Sequence, residues 1–300
     1  IKKSKELDLQ IIATGMHLIR KHGMTYKEIE NDKFFIDRKV PSKQKTASAN
    51  SLVEAMATEL KGIAVAFSQL KPDLVIILGD RYDIFPAAIA THILQIPLAH
   101  IHGGEVTSGV IDDGIRHSIS KLANLHFVAT NEFKNRLISM GEENKSIVNI
   151  GSLAVQGNKN IKKYSKADIL KRFSIINYNQ YFVITVHPET INSNNKKLIK
   201  NILLALESFK DYYFIFTGTN SDTDSSIISK NINEFIKKNK KQAALIESSG
   251  RELYVNMMKH SALIIGNSSS GIIESPSLHT ASINIGNRQA GRPLSKSIFS

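Results

Sequence analysis

The sequence predicts an α/β protein of two Rossmann-like, doubly wound domains, residues 1–156 and 157–300. Three observations support this prediction. Short apolar runs alternate with amphipathic segments through both halves, as in parallel sheets with crossover helices. Several runs end in polar residues, and ligands of such sheets bind at the carboxyl ends of strands. An asparagine- and lysine-rich stretch, residues 157–166, separates the halves and is the candidate hinge.

Apolar runs in the first half predict strands at residues 7–13, 74–78, 98–101, 126–129 and 147–150. Apolar residues at helical spacing predict helices at residues 52–70, 84–94 and 133–140, with a further helix around Ile115. The run 74–78 is unbroken, which predicts a strand covered on both faces. The largely polar segment 32–45 predicts a mobile loop.

The second half repeats the alternation. Its apolar runs predict strands at residues 181–186, 212–216, 244–246, 263–265 and 282–285. Helices are expected at residues 196–209, 225–237 and 251–260, and another is expected to start after residue 270. Two such sheets joined by one linker would enclose a cleft.

Composition bounds the class of protein. The 300 residues include 42% hydrophobic and 22% charged side chains, ordinary values for a soluble enzyme. No run approaches the roughly 20 apolar residues of a membrane span, and no secretory signal opens the chain, so we expect a cytoplasmic protein without membrane contact. Cysteine is absent, which excludes disulfides, thiolate nucleophiles and Cys-based zinc sites. We expect no metal.

The net charge of +12 raises the question of nucleic-acid binding. The lysines are spread over several segments with few aromatic residues among them, a pattern typical of solvated helix faces. We therefore expect no nucleic-acid partner. Part of the charge would instead steer an anionic substrate toward the protein.

Acidic residues follow two predicted strands of the first half. Asp80 comes after the strand 74–78, Glu105 follows the next strand in HIHGGE, and Asp112-Asp113 precede the Ile115 helix. These positions would converge on one rim of the sheet. Each has an alternative: Asp80 as a turn former, one of the aspartates as a helix cap, and Gly103-Gly104 as a plain tight turn.

The clearest local pattern in the second half is GNSSSGIIE, where a strand leads through small hydroxyl residues into a helix. Free N–H groups and the positive end of the helix dipole would hold phosphate there without a metal. The predicted phosphate-binding residues are Ser268, Ser269, Ser270 and Gly271. Glu274, one turn later, suits ribose hydroxyls. The alternative is a serine-rich helix cap that binds nothing.

Other polar residues follow strands in the second half. His187 ends the strand 181–186, Asn220 and Asp222 follow the next strand, and Arg288 lies in INIGNRQAGR. By itself each has an ordinary explanation: a turn histidine, an Asx turn, and an arginine that solvates a loop.

The motifs GDRYD, HIHGGE and IDDGIRHSISKL resemble the hydrolysing UDP-N-acetylglucosamine 2-epimerases, and the likeness continues to Arg292. The resemblance implies a GT-B fold, in which two Rossmann-like domains face a cleft. It also implies UDP-N-acetylglucosamine (UDP-GlcNAc) as substrate, no cofactor, and a homodimer or homotetramer.

By the same resemblance, Asp80 and Asp112 are the acid/base candidates. The family often carries glutamate where this chain has His102, so the third catalytic group is either His102 or Glu105. His187 is the active-site histidine beside the diphosphate, which the serines and Arg288 contact, and Glu274 contacts ribose. The remaining substrate-binding candidates are Arg81, Asn220, Asp222, Ser249 and Gly250.

The implied reaction eliminates UDP to give a glycal and then adds water with inverted C2 stereochemistry, releasing N-acetylmannosamine. Crowded carboxylates would raise at least one pKa toward that of a general base. The alternatives are a non-hydrolysing 2-epimerase, a GT-B glycosyltransferase, an RNA-binding protein and a nucleotide-sugar sensor. Relatives acting on 2,4-diacetamido sugars leave the hexose open. The family pattern also includes a first strand with a glycine-arginine loop and closing helices, which we expect outside these 300 residues.

Overall fold

The computed structural model describes residues 4–20, 23–42, 46, 48–107, 110–189, 194–219, 224–247 and 249–300. Those residues divide into two compact units. Unit 1 contains residues 1–105 and 112–150, and unit 2 contains residues 106–111 and 151–300. The predicted domain boundary, after residue 156, lies inside unit 2 and stays a prediction.

Unit 1 contains two parallel sheets and five helices among its described residues. The strands are β1 (Ile12–Gly15), β2 (Arg38–Pro41), β3 (Val75–Leu78), β4 (Leu98–Ile101), β5 (Leu125–Val128) and β6 (Ile147–Asn149). The helices are α1 (Tyr26–Asn31), α2 (Ala49–Leu70), α3 (Phe85–Ile93), α4 (Asp112–Leu122) and α5 (Asn131–Ser139). β1 pairs with β2, and the other four strands form a sheet in the order β3-β4-β5-β6.

One core lies between these strands and the helices α2, α3 and α4. Ile63 and Phe67 of α2 pack with Val40 of β2 and Ile77 of β3. α2 spans 22 residues because a Ser48 side chain caps its first turn and apolar residues recur along one side. The two sheets of unit 1 therefore share one hydrophobic core.

Three predictions for unit 1 are wrong. The first strand runs from Ile12 to Gly15 and not over residues 7–13. The predicted loop 32–45 contains β2, although its residues 43–45 lie outside the described part of the chain. β3 is not covered on both faces, since Ile76 is 44% and Leu78 57% exposed. The opposite face of β3 is buried, with Ile77 only 2% exposed.

Unit 2 contains a six-stranded parallel sheet in the order β12-β11-β10-β7-β8-β9. Its strands are β7 (Tyr181–Thr185), β8 (Tyr213–Thr217), β9 (Ala243–Ile246), β10 (Leu263–Gly266), β11 (Ser282–Asn284) and β12 (Ile298–Phe299). Its helices are α6 (Leu153–Gly157), α7 (Lys166–Arg172), α8 (Asn195–Leu206), α9 (Ser225–Lys238), α10 (Gly250–His260) and α11 (Ser270–Ile273).

The central strands β7 and β8 are buried at every position, so this sheet is covered on both faces. α8 and α9 pack over Phe214 and Phe216 on one side, while α10 packs with Tyr181 and Ile215 on the other. Parallel pairing brings the carboxyl ends of β7, β10 and β11 to one edge. Of the predicted site residues, His187, the residues 268–271 and Arg288 follow these three strand ends.

Candidate active site

A buried arginine joins three of the predicted residues of unit 1. Arg116 lies in α4 and is 3% exposed. One terminal nitrogen is ion-paired with Asp80. The other donates to the His102 carbonyl at 3.1 Å and lies 3.8 Å from the Glu105 carboxylate. A guanidinium can serve all three because its N–H groups form a rigid fork. Asp80, His102 and Glu105 therefore occupy one site.

The two candidates for the third acid/base group are bonded to each other. His102 Nδ1 lies 2.7 Å from Glu105 Oε1, and the two side chains are 16% and 4% exposed. His102 adopts a left-handed backbone conformation, with φ of 67°. His102 and Glu105 thus form a hydrogen-bonded histidine–carboxylate pair, which can hold or transfer a proton as a unit. The third acid/base group need not be one of the two residues alone.

A second histidine fixes the turn that carries Asp80. His100 is fully buried in β4, with Nε2 2.7 Å from the Gly79 carbonyl and Nδ1 3.0 Å from the Ser120 hydroxyl. Burial lowers the pKa of His100 to about 4, so its ring is neutral near pH 7. The carbonyl only accepts, so Nε2 carries the proton and Nδ1 accepts from Ser120.

Asp112 is the first residue of α4 and is buried, with 9% of its surface exposed. It lies one turn before Arg116, on the same helical face. Asp113 follows it in the first turn and lies 3.8 Å from His117 Nε2. Neither aspartate precedes the helix as a cap would. Both lie where the helix dipole favours a negative charge.

Arg81, predicted to bind substrate, follows Asp80 at the same strand end. Its Nε lies 3.6 Å from Asp83, and a terminal nitrogen lies 3.5 Å from Met16 Sδ. The side chain is 29% exposed, so it stays accessible to a ligand.

Sequence reasoning missed Arg116, His100 and Ser120. The helical stripe of α4 held a signal, because Asp112, Arg116 and Ile119 recur at spacings of four and three residues. All three are buried. A charged residue inside an apolar stripe requires a partner, and that requirement would have directed attention to Arg116.

In unit 2, an asparagine holds the turn that carries His187. Asn267 follows β10 and is 1% exposed. Its Oδ1 accepts from the His187 backbone N–H at 2.7 Å, and its Nδ2 donates to the His187 carbonyl at 2.8 Å. The Asn267 carbonyl accepts from Gln289 at 3.0 Å and from Arg288 at 3.4 Å. The structure thereby brings His187 and Arg288 together through Asn267, which was not predicted.

The serine loop lies next to that asparagine. Ser268, Ser269 and Ser270 are partly exposed, and the Ser270 N–H donates to the Ser268 hydroxyl at 3.4 Å. The expected helix is shorter than the sequence suggests. α11 makes one turn and gives way to a 3-10 turn with Pro276, whose nitrogen has no hydrogen to continue the α pattern. The helix is therefore too short to have a large dipole. The hydrogen-bond donors available to a phosphate here are the backbone N–H groups of the loop and the serine hydroxyls.

Glu274 is 6% exposed and already has partners. Its Oε1 accepts from Arg251 at 3.1 Å and from Asn158 at 3.3 Å, two residues that were not predicted. Ser249 directly precedes α10, and its hydroxyl donates to the Gly250 carbonyl at 3.2 Å. Asn220 and Asp222 lie outside the described residues.

Across the described ranges, no group of three His, Cys, Asp or Glu side chains is arranged to hold a metal ion. The expected absence of a metal stays a prediction. No helix in the described part of the chain is long and apolar enough to span a membrane.

Solved structures with a similar fold include 2-epimerases. A putative UDP-N-acetylglucosamine 2-epimerase from Listeria monocytogenes has a TM-score of 0.75 and 20% identity, covering 94% of this chain and 72% of that one. The Neisseria meningitidis enzyme bound to UDP-GlcNAc has a TM-score of 0.73 and 18% identity, covering 92% and 82%. These likenesses confirm the predicted α/β, GT-B-type fold class with Rossmann-like sheets. The cleft stays a prediction.

Relatives with higher identity span this chain completely. A GDP/UDP-N,N'-diacetylbacillosamine 2-epimerase (hydrolyzing) from Campylobacter jejuni is 43% identical over 300 residues, 78% of its length. The polysialic acid biosynthesis protein P7 of Escherichia coli is 40% identical over 302 residues, 76% of its length. The UDP-N-acetylglucosamine 2-epimerase family model matches residues 1–299. The resemblance noted from GDRYD, HIHGGE and IDDGIRH is thus confirmed, and this chain belongs to the UDP-N-acetylglucosamine 2-epimerase family.

Proposed function

We propose that the chain is a hydrolysing 2-epimerase that converts UDP-GlcNAc and water to N-acetylmannosamine and UDP. The observation that carries this proposal is the buried site in which Arg116 joins Asp80, His102 and Glu105. Epimerisation at C2 requires groups that remove a proton and return one, and carboxylates and imidazole serve that purpose. Family membership supports the same reaction.

The first step is an elimination. A carboxylate, Asp80 or Asp112 in this proposal, takes the C2 proton, a double bond forms between C1 and C2, and UDP leaves with the electron pair of the C1–O bond. The leaving diphosphate gains negative charge. His187, Arg288 and the serine loop, residues 268–271, are proposed to stabilise that charge.

The second step is a hydration. Water adds its hydroxyl to C1 of the glycal, and a proton reaches C2 from the face opposite the one deprotonated. The product is free N-acetylmannosamine, with all atoms accounted for by substrate and water. We assign the proton donor to the His102–Glu105 pair, because the two groups share a hydrogen bond of 2.7 Å.

The nucleotide contacts follow the family pattern. We propose Glu274 for the ribose hydroxyls, Ser249 and Gly250 for the base, and Arg81, Asn220 and Asp222 as further contacts. Assembly into a homodimer or homotetramer is part of the same proposal.

Substitution of Asp80 or Asp112 by Asn tests the acid/base assignment. Each change keeps the size of the side chain and removes its basic oxygen, so we expect kcat for UDP release to fall about 100-fold or more. Asp73→Asn is the matched control, because Asp73 is exposed at the opposite end of β3. Undiminished turnover would remove the substituted aspartate from the mechanism.

Arg288→Ala tests the diphosphate assignment. The change removes a planar donor, so we expect KM to rise more than kcat falls. Steady-state kinetics with UDP-GlcNAc measure both. An unchanged KM would show that Arg288 does not contact the substrate.

A second substrate is favoured by a specific observation. Relatives 43% and 33% identical over the whole of this chain are named N,N'-diacetylbacillosamine 2-epimerases. The candidate substrate is therefore a UDP- or GDP-linked 2,4-diacetamido-trideoxyhexose, converted by the same two steps. Incubation with a panel of such nucleotides and UDP-GlcNAc, followed by NMR, identifies the preferred hexose. A product still linked to its nucleotide would favour a non-hydrolysing epimerase.

A further inference from the structure

Glu189 is a buried carboxylate beside the proposed diphosphate site. It lies four residues after β7, next to the His187 turn, and is 9% exposed. Its Oε1 accepts from the backbone N–H of Asn287 at 2.5 Å and of Arg288 at 3.2 Å. One side chain therefore holds the loop from which the Arg288 guanidinium extends.

The backbone of Glu189 is itself fixed. Its N–H donates to Asn195 Oδ1 at 2.9 Å, and its carbonyl accepts from Asn195 Nδ2 at 2.9 Å. Asn195 is the first residue of α8 and is 4% exposed. The backbone of Glu189 is thus anchored to the start of a helix packed on the central sheet, which gives the carboxylate a defined origin.

The arginine loop is shaped to receive this carboxylate. Gly286 has φ of 84°, and a Cβ there would overlap Glu189 Oε1. The absence of a side chain at residue 286 lets the loop approach Glu189 closely enough for both N–H groups to reach it. The other side of the loop is held by the Asn267 carbonyl, which accepts from Arg288 and Gln289.

We propose that Glu189 is a positioning residue that preorganises Arg288 for the diphosphate of the nucleotide sugar. This inference rests on the function proposed above. A free carboxylate near a diphosphate would repel it, but two N–H donors engage this one from the loop side. Glu189 then acts through Arg288, and its loss lowers diphosphate affinity without removing a group that touches the substrate.

The test compares Glu189→Ala and Glu189→Gln with the wild type by calorimetric titration of UDP and by kinetics. Without an acceptor the loop is released, so we expect E189A to raise the UDP Kd and the substrate KM about tenfold while kcat changes less than threefold. The Gln oxygen still accepts from N–H groups, so E189Q stays within about threefold of wild type. Glu234→Ala, at an exposed position in α9, is the control and should match wild type.

Gly286→Ala tests the same contact from the loop side. The test of the inference then does not depend on the folding of E189A alone. Alone, it places a methyl group against the carboxylate and should weaken UDP binding. In the E189A background part of that clash disappears, so the two changes should cost less together than the sum of their separate effects.

The inference is overturned by wild-type UDP affinity in E189A, by equal losses in E189A and E189Q, or by additive effects in the double variant. Failure of the wild-type protein to bind UDP or convert any nucleotide sugar would instead overturn the proposed function.

Discussion

Arg116 carries a positive charge at a buried position, and its hydrogen-bonding partners explain why that burial is stable. Removing a guanidinium from water is costly unless carboxylates and carbonyls replace the lost hydration. Asp80, Glu105 and the His102 carbonyl do so. The same contacts hold the proposed catalytic groups in position. The planar, forked geometry of the Arg116 guanidinium is therefore expected to matter as much as its charge.

Arg116→Lys separates the fork from the charge. A lysine ammonium is a single point charge and cannot engage both Asp80 and the His102 carbonyl with the geometry of a guanidinium. We expect kcat to fall on the order of 100-fold, the size of effect caused by displaced catalytic groups. The UDP Kd should stay within about threefold, because the proposed nucleotide contacts other than Arg81 lie in unit 2. Full activity in the lysine variant would contradict the role given to the fork.

Glu59 is a second buried ionisable residue, located in α2 and 0% exposed. The pKa of Glu59 is raised from its ordinary value of 4.5 to about 7. Burial is the main cause, the Ser42 side chain opposes it, and the negative charge of Asp83 adds to it. Between about pH 4.5 and 7, the Glu59 carboxyl is therefore protonated in the folded protein and ionised in the unfolded chain. Stability from this group is greatest at low pH and is lost as pH rises from about 4.5 to 7.

Glu59→Gln should remove that pH dependence. A neutral amide carries no ionisation penalty, so the free energy of unfolding of the variant relative to wild type should increase between pH 5 and pH 8, by up to about 3 kcal/mol. Urea denaturation at several pH values measures the difference. Glu54→Gln, at an exposed position of the same helix, is the control and should show little change with pH. A constant difference for Glu59→Gln would show that folding does not raise the pKa of the Glu59 carboxyl.

Strands β2 and β3 show how far the sequence determines the elements. The run 74–78 correctly predicts a strand. Apolar residues alone, however, do not show which face of the strand is covered in the folded protein. In the structure Ile76 and Leu78 are exposed on one face. β2 was missed because Arg38–Pro41 contains one buried residue and two cations, so it carries no strand pattern. β2 pairs with β1, which lies more than 20 residues earlier in the chain, and a short stretch of sequence does not reveal such a distant partner.

The junction of β10 with the serine loop depends on a close backbone approach. Gly266 has φ of 137°, and a Cβ at this position would overlap the Thr185 carbonyl of the neighbouring strand. Gly266→Ala should therefore destabilise the protein by about 3 kcal/mol or more and disturb the His187 turn. Gly141→Ala is the control, because Gly141 has φ of 93° and its nearest neighbour would lie 4.0 Å away. Equal thermal stabilities of the two variants would contradict the importance of this contact.

At the scale of the whole molecule, the alternation of apolar runs with amphipathic segments predicted the α/β fold class. The strand-end motifs carried the family resemblance, and with it the GT-B type and most of the proposed site residues. The side chains that hold those residues, Asn267, Glu189 and His100, were not predicted. They bond to backbone groups far away in sequence, and such partners become visible only when the chain is folded.

In the proposed reaction the protein removes the C2 proton, expels UDP and adds water to the resulting glycal. NMR of the reaction of UDP-GlcNAc in D₂O tests it most directly, because the proton returned to C2 comes from solvent. We predict free UDP and free N-acetylmannosamine with deuterium at C2. Release of a free sugar that keeps its original hydrogen at C2, or a product still joined to UDP, would exclude this reaction.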